Sequence, residues 1–270
     1  MAITYHMLQI PPWLFFVSIV LTGVFIGIAL TFLFHKVFKI KILHSHNEVT
    51  TPLFLAIASF YALLLSFIML VVWERSNETH SSVSKEGSSA MGLYRDIKFY
   101  PDTLVSDELM KVYLNFVYNV VDDEFPAMEK MKLSDKTSDA FNRVFYAVEH
   151  LNPETPFQIQ LVSEMFKNLN ELATYRGLRI TAMESEIAPA LWLPIILGAF
   201  ITLISSILLD IGHRRTHYLL NALLGAIIGA FLFIIILMDH PFTGSLGIEP
   251  NTYMQIFSIE ERMNETQLNN

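Results

Sequence analysis

The sequence predicts an all-α integral membrane protein: four transmembrane helices, with an antiparallel helical bundle inserted between spans two and three. Three observations carry that prediction. The 270 residues are 53% hydrophobic with a positive mean hydropathy, too apolar for an ordinary soluble domain. Four runs, 13–34, 52–73, 189–209 and 218–238, hold no charge, and each has the roughly 20 residues a helix needs to cross about 30 Å of hydrocarbon. The polar stretch 74–188 is the only part large enough for a soluble domain, and its apolar residues recur at helical spacing. The expected organisation is a first transmembrane hairpin (1–73), an extracytoplasmic helical bundle (74–188), a second transmembrane hairpin (189–238) and an extracytoplasmic C-terminal tail (239–270).

The first span lacks the basic flank and small-residue cleavage site of a signal peptide and is followed by Lys36, Lys39 and Lys41, so it reads as a retained anchor. Those lysines, with Arg214 and Arg215 after the third span, are the short-loop positive charges. They place both loops in the cytoplasm, and both termini and the inserted domain on the other side. Trp13, Trp73 and Trp192 then sit at one interface, where tryptophan is favoured.

In the second span Pro52 opens the run and Trp73 closes it, and no Pro follows until Pro101. Val83, Ala90 and Ile97 recur every seven residues, so this span is expected to continue out of the membrane as one helix, although Gly87 and the serines around it are poor helix formers. A second helix, starting near Ser106, shows Leu109, Val112, Tyr113, Phe116, Val117 and Val120 on one face. A third, 138–151, stops before Pro153. The fourth, 156–187, is capped by Thr155, has Pro156 in its first turn, and carries a heptad seam through Ile159, Val162, Phe166, Leu169, Ala173, Ile180, Met183 and Ile187. It is expected to run directly into the third span, which Pro189 opens. The fourth span and the third carry the remaining membrane crossings, with Gly225 and Gly229, like Gly23 and Gly27 in the first, forming small-xxx-small packing pairs.

One seam position is charged: Arg176. A buried guanidinium requires a carboxylate, and Glu86, on the seam side of the helix leaving span two, is the expected partner; the alternative is that Arg176 snorkels to solvent. Asp122, Asp123, Glu124 and Glu129 read as a solvated helix end rather than a calcium site, since consecutive helical positions diverge by about 100°. His44 and His46 in one loop, with Asp210, His213 and His217 at the end of span three, either converge on a transition metal or sit among lipid headgroups; the second reading is adopted, so no metal and no cofactor is expected.

The run 83–95, then Glu124-Phe125-Pro126, Tyr175-Arg176-Gly177-Leu178-Arg179, Pro189-Ala190-Leu191-Trp192 and Asp239-His240-Pro241-Phe242-Thr243-Gly244 resemble a bacterial family of unknown function that carries a bestrophin-like domain. The similarity extends from the second span to about Pro250, with Arg179, Asp239, Pro241, Phe242 and Gly244 as motif residues. Bestrophins are oligomeric ion channels with four spans per subunit and a helical domain between spans two and three. The resemblance therefore implies a ring of subunits with span two lining the pore, through Ser59, Leu63, Ser66 and Leu70. Two hydroxyls between apolar positions suit a narrow hydrophobic gate; the plain alternative is helix packing. The resemblance also implies a cytosolic helical domain, where the positive charges expect an extracytoplasmic one.

Residues 74–188 hold 12 Lys or Arg against 19 Asp or Glu, and acidic walls concentrate cations. They also exclude a nucleic-acid partner, which needs a basic stripe. With no mid-membrane charge, proton-coupled transport is unsupported. There is no phosphate loop, no zinc-protease or nucleophile-elbow motif and no cysteine, so no enzyme is expected. Two readings remain: a homo-oligomeric, cation-preferring channel in a bacterial inner membrane, or a non-conducting protein whose acidic domain binds another membrane complex. The lipid bilayer is the partner common to both.

Overall fold

The computed structural model describes residues 9–37 and 44–268. Among them it is all-helical: α1 (Pro12–Val37), α2 (Asn47–Lys98), α3 (Thr103–Asn119), a π-helical turn (Val120–Glu124), α4 (Phe125–Glu129), α5 (Asp135–Glu149), α6 (Pro156–Glu184), α7 (Pro189–Ile207), α8 (Arg214–Asp239) and α9 (Asn251–Leu268). Lys39 and Lys41, which the orientation argument uses, lie outside the described residues, as does the side chain of His44. Four helices, α1, α2, α7 and α8, are long and apolar enough to cross a membrane. The chain divides at Ser76, Ser185 and His240 into a span unit (α1, the first part of α2, α7, α8) and a helical unit (the rest of α2, α3–α6, α9).

In the span unit, α2 turns Tyr61, Leu65, Ile68 and Val72 onto a core with Ile195 and Leu203 of α7 and Ile228 and Ile235 of α8. That 4-3-4 spacing is one helix stripe. Gly23 and Gly225 face each other, and a Cβ on either would overlap the other's carbonyl oxygen. Small residues at a span interface let backbones approach and gain dispersion where lipid offers no hydrophobic drive. The same interface is pinned by polar groups: Asn221 donates through Nδ2 to Thr31 Oγ1 at 2.8 Å and accepts from Ser206 Oγ at 2.5 Å, tying α1, α7 and α8 together.

In the helical unit α2 is unbroken through Gly87 and its serines. Gly87 is there because a side chain would collide with Thr252 of α9, so a local propensity penalty is offset by close packing. Side-chain caps set the next starts: Asp102 accepts from Leu104 N and Val105 N, and Ser134 from Thr137 N. α3 and α5 therefore begin three residues before the positions expected from periodicity. Thr155 and Gln158 form a reciprocal capping box at α6.

Three expectations are corrected here. α6 does not run into the third span: it ends at Glu184 and α7 begins at Pro189, because Pro189 disfavours helix at Ala188 and Ile187 N is drawn to the Asp239 carboxylate at 2.8 Å. The buried face of α6 is Met165, Leu169, Leu172, Arg176, Arg179 and Met183, rotated from the heptad seam so that Ile159 is exposed. The 239–270 segment, expected as a tail, supplies a helix whose Tyr253 and Ile256 are core residues.

Candidate functional site

The exposed face of α2 follows from the buried one. With Tyr61, Leu65, Ile68 and Val72 turned inward, the 3.6-residue period leaves Ser59, Leu63, Ser66 and Leu70 outward, and Leu63 is 68% and Leu70 56% exposed. Phe60 and Phe67 flank them, also exposed. Ser66 Oγ donates to Ala62 O at 2.8 Å, which satisfies the hydroxyl within its own helix and leaves an apolar stripe with small gaps. Among the described residues, Ser59, Leu63, Ser66 and Leu70 thus share one exposed face of α2.

The densest chemistry lies inside the helical unit. Arg179, with no exposed surface, donates from Nε to Glu86 Oε2 at 2.6 Å and from Nη2 to Glu86 Oε1 at 2.9 Å and Glu124 Oε2 at 2.8 Å. Its guanidinium lies 4.6 Å from the Phe125 ring centroid, a cation–π geometry. Arg176 donates from Nε and Nη2 to Glu124, at 3.1 and 2.5 Å to Oε1, and from Nη2 to Ser138 Oγ at 3.0 Å. Tyr253 Oη of α9 donates to Glu86 Oε1 at 2.8 Å. Two guanidiniums thus meet two carboxylates, and each of the four carboxylate oxygens accepts at least one hydrogen bond, the kind of pairing that lets buried charge be tolerated.

The expected Glu86–Arg176 pair is therefore wrong in both partners: Arg176 belongs to Glu124, and Glu86 to Arg179. Arg176 and Arg179 are three residues apart and share a helix face, but the assumed seam excluded Arg179. Acidic spacing places Glu124 at a solvated helix end, whereas Val120 and Glu124 of the π-helical turn are both buried. Such turns recur at functional positions, and none is visible in hydrophobic spacing. Burial by itself pushes the Glu124 carboxyl up, but Arg179 and Arg176 outweigh it and hold it below its usual range. For Arg179, desolvation opposes the charge, yet Glu86 and Glu124 raise its proton affinity above the ordinary value. Burial first, then the Glu86 carboxylate, pushes the Tyr253 phenol well up, so it stays a donor.

The Asp239 motif splits between units. In the span unit, Asp239 Oδ1 accepts from Ile187 N and, at 3.3 Å, from Arg75 Nη1, while Arg75 Nη2 donates to Glu186 O at 3.3 Å. One carboxylate thus joins the end of α8, the break before α7 and α2. In the helical unit, Phe242 packs edge-on against Phe125. Pro241 O accepts from Ile248 N, and Gly244, at φ +80°, accepts from Gly247 N; that left-handed turn requires glycine.

The described members of the histidine group do not form one cluster. His217 Nε2 bonds Ser206 O and its ring meets His35, not His213. Asp210 pairs through its backbone with the Asn47 side chain and caps Gly212 N. Among the described residues no group of three His, Cys, Asp or Glu can hold a metal ion.

A family model described as Bestrophin-like domain matches residues 24–253. No curated protein matches the chain. Solved structures do. One variant of a bacterial bestrophin homologue from Klebsiella pneumoniae aligns at a TM-score of 0.68 and 11% identity, covering 88% of this chain and 96% of that one. Another structure of the Klebsiella homologue gives 0.65 at 13% identity, covering 89% and 95%. The likeness at this identity is one of fold.

Proposed function

The chain belongs to the bestrophin-like family, and on that premise we propose that it is a subunit of an oligomeric ion channel whose pore is lined by α2. The observation that carries this reading is the uncovered stripe Ser59, Leu63, Ser66 and Leu70 on a span whose other face is packed into the core. A ring of copies would bring these stripes around one axis, with Leu63 and Leu70 as the hydrophobic constriction and Ser59 and Ser66 as the wider, more polar levels. The excess of carboxylates over residues 74–188 favours cations at the entrance. Family and fold are those of channel-like rather than enzymatic proteins. The buried Glu86–Arg179–Glu124–Arg176 network has a structural role here, holding α2, α6, the π-helical turn and α9 in register.

The test is ion flux through purified protein in liposomes. Leu63→Ala, which widens a constriction, is expected to raise flux, and Ser66→Trp to abolish it, with potassium passing better than chloride. Absence of flux in the wild type across ions and pH values would instead favour the accessory-protein reading. We place the helical unit outside the cytoplasm of a bacterial inner membrane on the positive charges flanking α1 and α8. Because the chain has no cysteine, Ser45→Cys and Lys136→Cys make clean single-site probes. They are expected to react with impermeant thiol reagents from opposite sides of the membrane, Lys136→Cys from the periplasmic side; the reverse assignment would move the domain into the cytosol.

A further inference from the structure

Helices α1, α7 and α8 of the span unit surround a cavity of about 280 Å³. Its floor is Gly23 of α1 with Gly225 and Gly229 of α8, and its far wall includes Ala199, Phe200 and Leu203 of α7. The floor has no side chains to fill the space, because α1 and α8 touch backbone to backbone at these glycines. Only Ser18 and Thr22 bring polar side chains to the lining. Both are satisfied within α1: Ser18 Oγ donates to Phe15 O at 2.8 Å and Thr22 Oγ1 to Ser18 O at 2.7 Å. Water entering would be offered no donor, only the acceptor lone pairs of these two hydroxyls. Apolar cavities of ~150 Å³ stay dry and take up hydrocarbon such as benzene, and this one is larger. It also opens outward, since Phe200, part of its lining, is 42% exposed. That opening lies on helices long and apolar enough to span a bilayer, so the medium at its mouth is lipid hydrocarbon.

We propose that this cavity is a binding site for one acyl chain of a membrane glycerolipid, held between α7 and the α1–α8 pair as a resident part of the span unit. The chemistry selects the chain and not the headgroup: the walls offer dispersion contacts to methylene groups and no donor or cation to a phosphate. The cleft is continuous with the lipid-contacting surface, which is what supplies the occupant. A bound chain restores the van der Waals partners that the glycine floor forfeits. Residence of the chain does not depend on whether the protein conducts ions.

The test uses fluorescence quenching by brominated chains. Trp13, Trp73 and Trp192 are replaced by Phe, and a single reporter is introduced either as Phe200→Trp at the cavity mouth or as Phe25→Trp, at a residue 71% exposed on α1. Both proteins are reconstituted in dibrominated phosphatidylcholine and then diluted into excess detergent without bromine. Both reporters are expected to be quenched at first. After dilution the Phe25→Trp signal should recover at once, while the Phe200→Trp signal recovers at least tenfold more slowly. Adding Ala199→Phe, which fills the cavity, should bring the two rates together. Recovery of both reporters at the same rate without the filling substitution would overturn the proposal. A Phe200→Trp reporter never quenched in brominated lipid would do so as well, by showing the mouth covered by a second copy or closed. Should the Ala199→Phe protein fail to fold, the comparison of the two reporters decides alone.

Discussion

Glu124 accepts from both Arg176 and Arg179, so removing its charge strands two buried guanidiniums at once. Glu124→Gln is expected to destabilise the helical unit at neutral pH by about 3–5 kcal/mol, the usual cost of breaking a buried pair from one side, read by urea unfolding of the solubilised protein. The pH dependence has a definite sign. Its folded-state pKa lies below the 4.5 of an unperturbed glutamate, so its contribution is fully present above pH 4.5 and is lost as pH falls through the depressed value. The wild type should therefore lose stability on acidification below about pH 4.5, and Glu124→Gln should lose less over that interval. An equal acid slope in both proteins would assign the loss to other carboxylates. The charge type of Arg176 and its need for a partner were readable from its seam position; the identity of the partner was not, because it lies 52 residues away in sequence on a turn whose geometry is set by packing.

Glycine has two opposite meanings among these helices, and the contrast can be measured. At Gly23 of α1 a methyl group would overlap the Gly225 carbonyl oxygen of α8, so Gly23→Ala must push the two backbones apart at a cost of roughly 1–3 kcal/mol. At Gly177 of α6 nothing lies within 4 Å of an added Cβ, and Gly177→Ala should stabilise by about 0.5–1 kcal/mol through lower unfolded-state entropy and better helix propensity. Thermal unfolding in one detergent compares the two, and a shift of the same sign would contradict the packing. Helix existence was legible from apolar runs and periodicity for all four spans and, in the insert, for the continuation of α2 and for α3, α5 and α6, but not for the π-helical turn and α4. The starts of α3 and α5 were not, since Asp102 and Ser134 cap them from outside the apolar pattern. The α6 seam was displaced because a 3.5-residue repeat identifies an apolar stripe but not which edge of it the neighbours cover.

For the whole molecule, the largest departure from expectation is α9. Residues after Asp239 carry charges and a low apolar content that read as a tail, yet Tyr253 and Ile256 are buried in the helical unit and Glu260 accepts from Tyr94 Oη at 2.5 Å and Lys98 Nζ at 3.3 Å on α2. Ile256→Ala is accordingly expected to cost about 2–5 kcal/mol, measured by urea unfolding; a change within 0.5 kcal/mol would mean the segment contributes nothing to the fold. Two solved structures share the helical fold at TM-scores of 0.65 and 0.68 with 13% and 11% identity, a likeness of fold alone.

Sequence by itself determined the class of protein, the four spans and the continuation of the second span as one helix, because long uncharged runs and regular spacing are local properties that a bilayer or a core reads one segment at a time. The outward position of Ser59, Leu63, Ser66 and Leu70 needed both sequence and packing, since the helix period relates the two faces of α2 but only the packed core shows that Tyr61, Leu65, Ile68 and Val72 are the inner one. Tertiary structure alone decided that Arg179 meets Glu86, that Arg176 meets Glu124, that α9 completes the helical core, and that α1 and α8 close on glycine while leaving a cavity against α7. Each of these depends on which surfaces from distant parts of the chain meet, and hence on three-dimensional packing that no local period encodes.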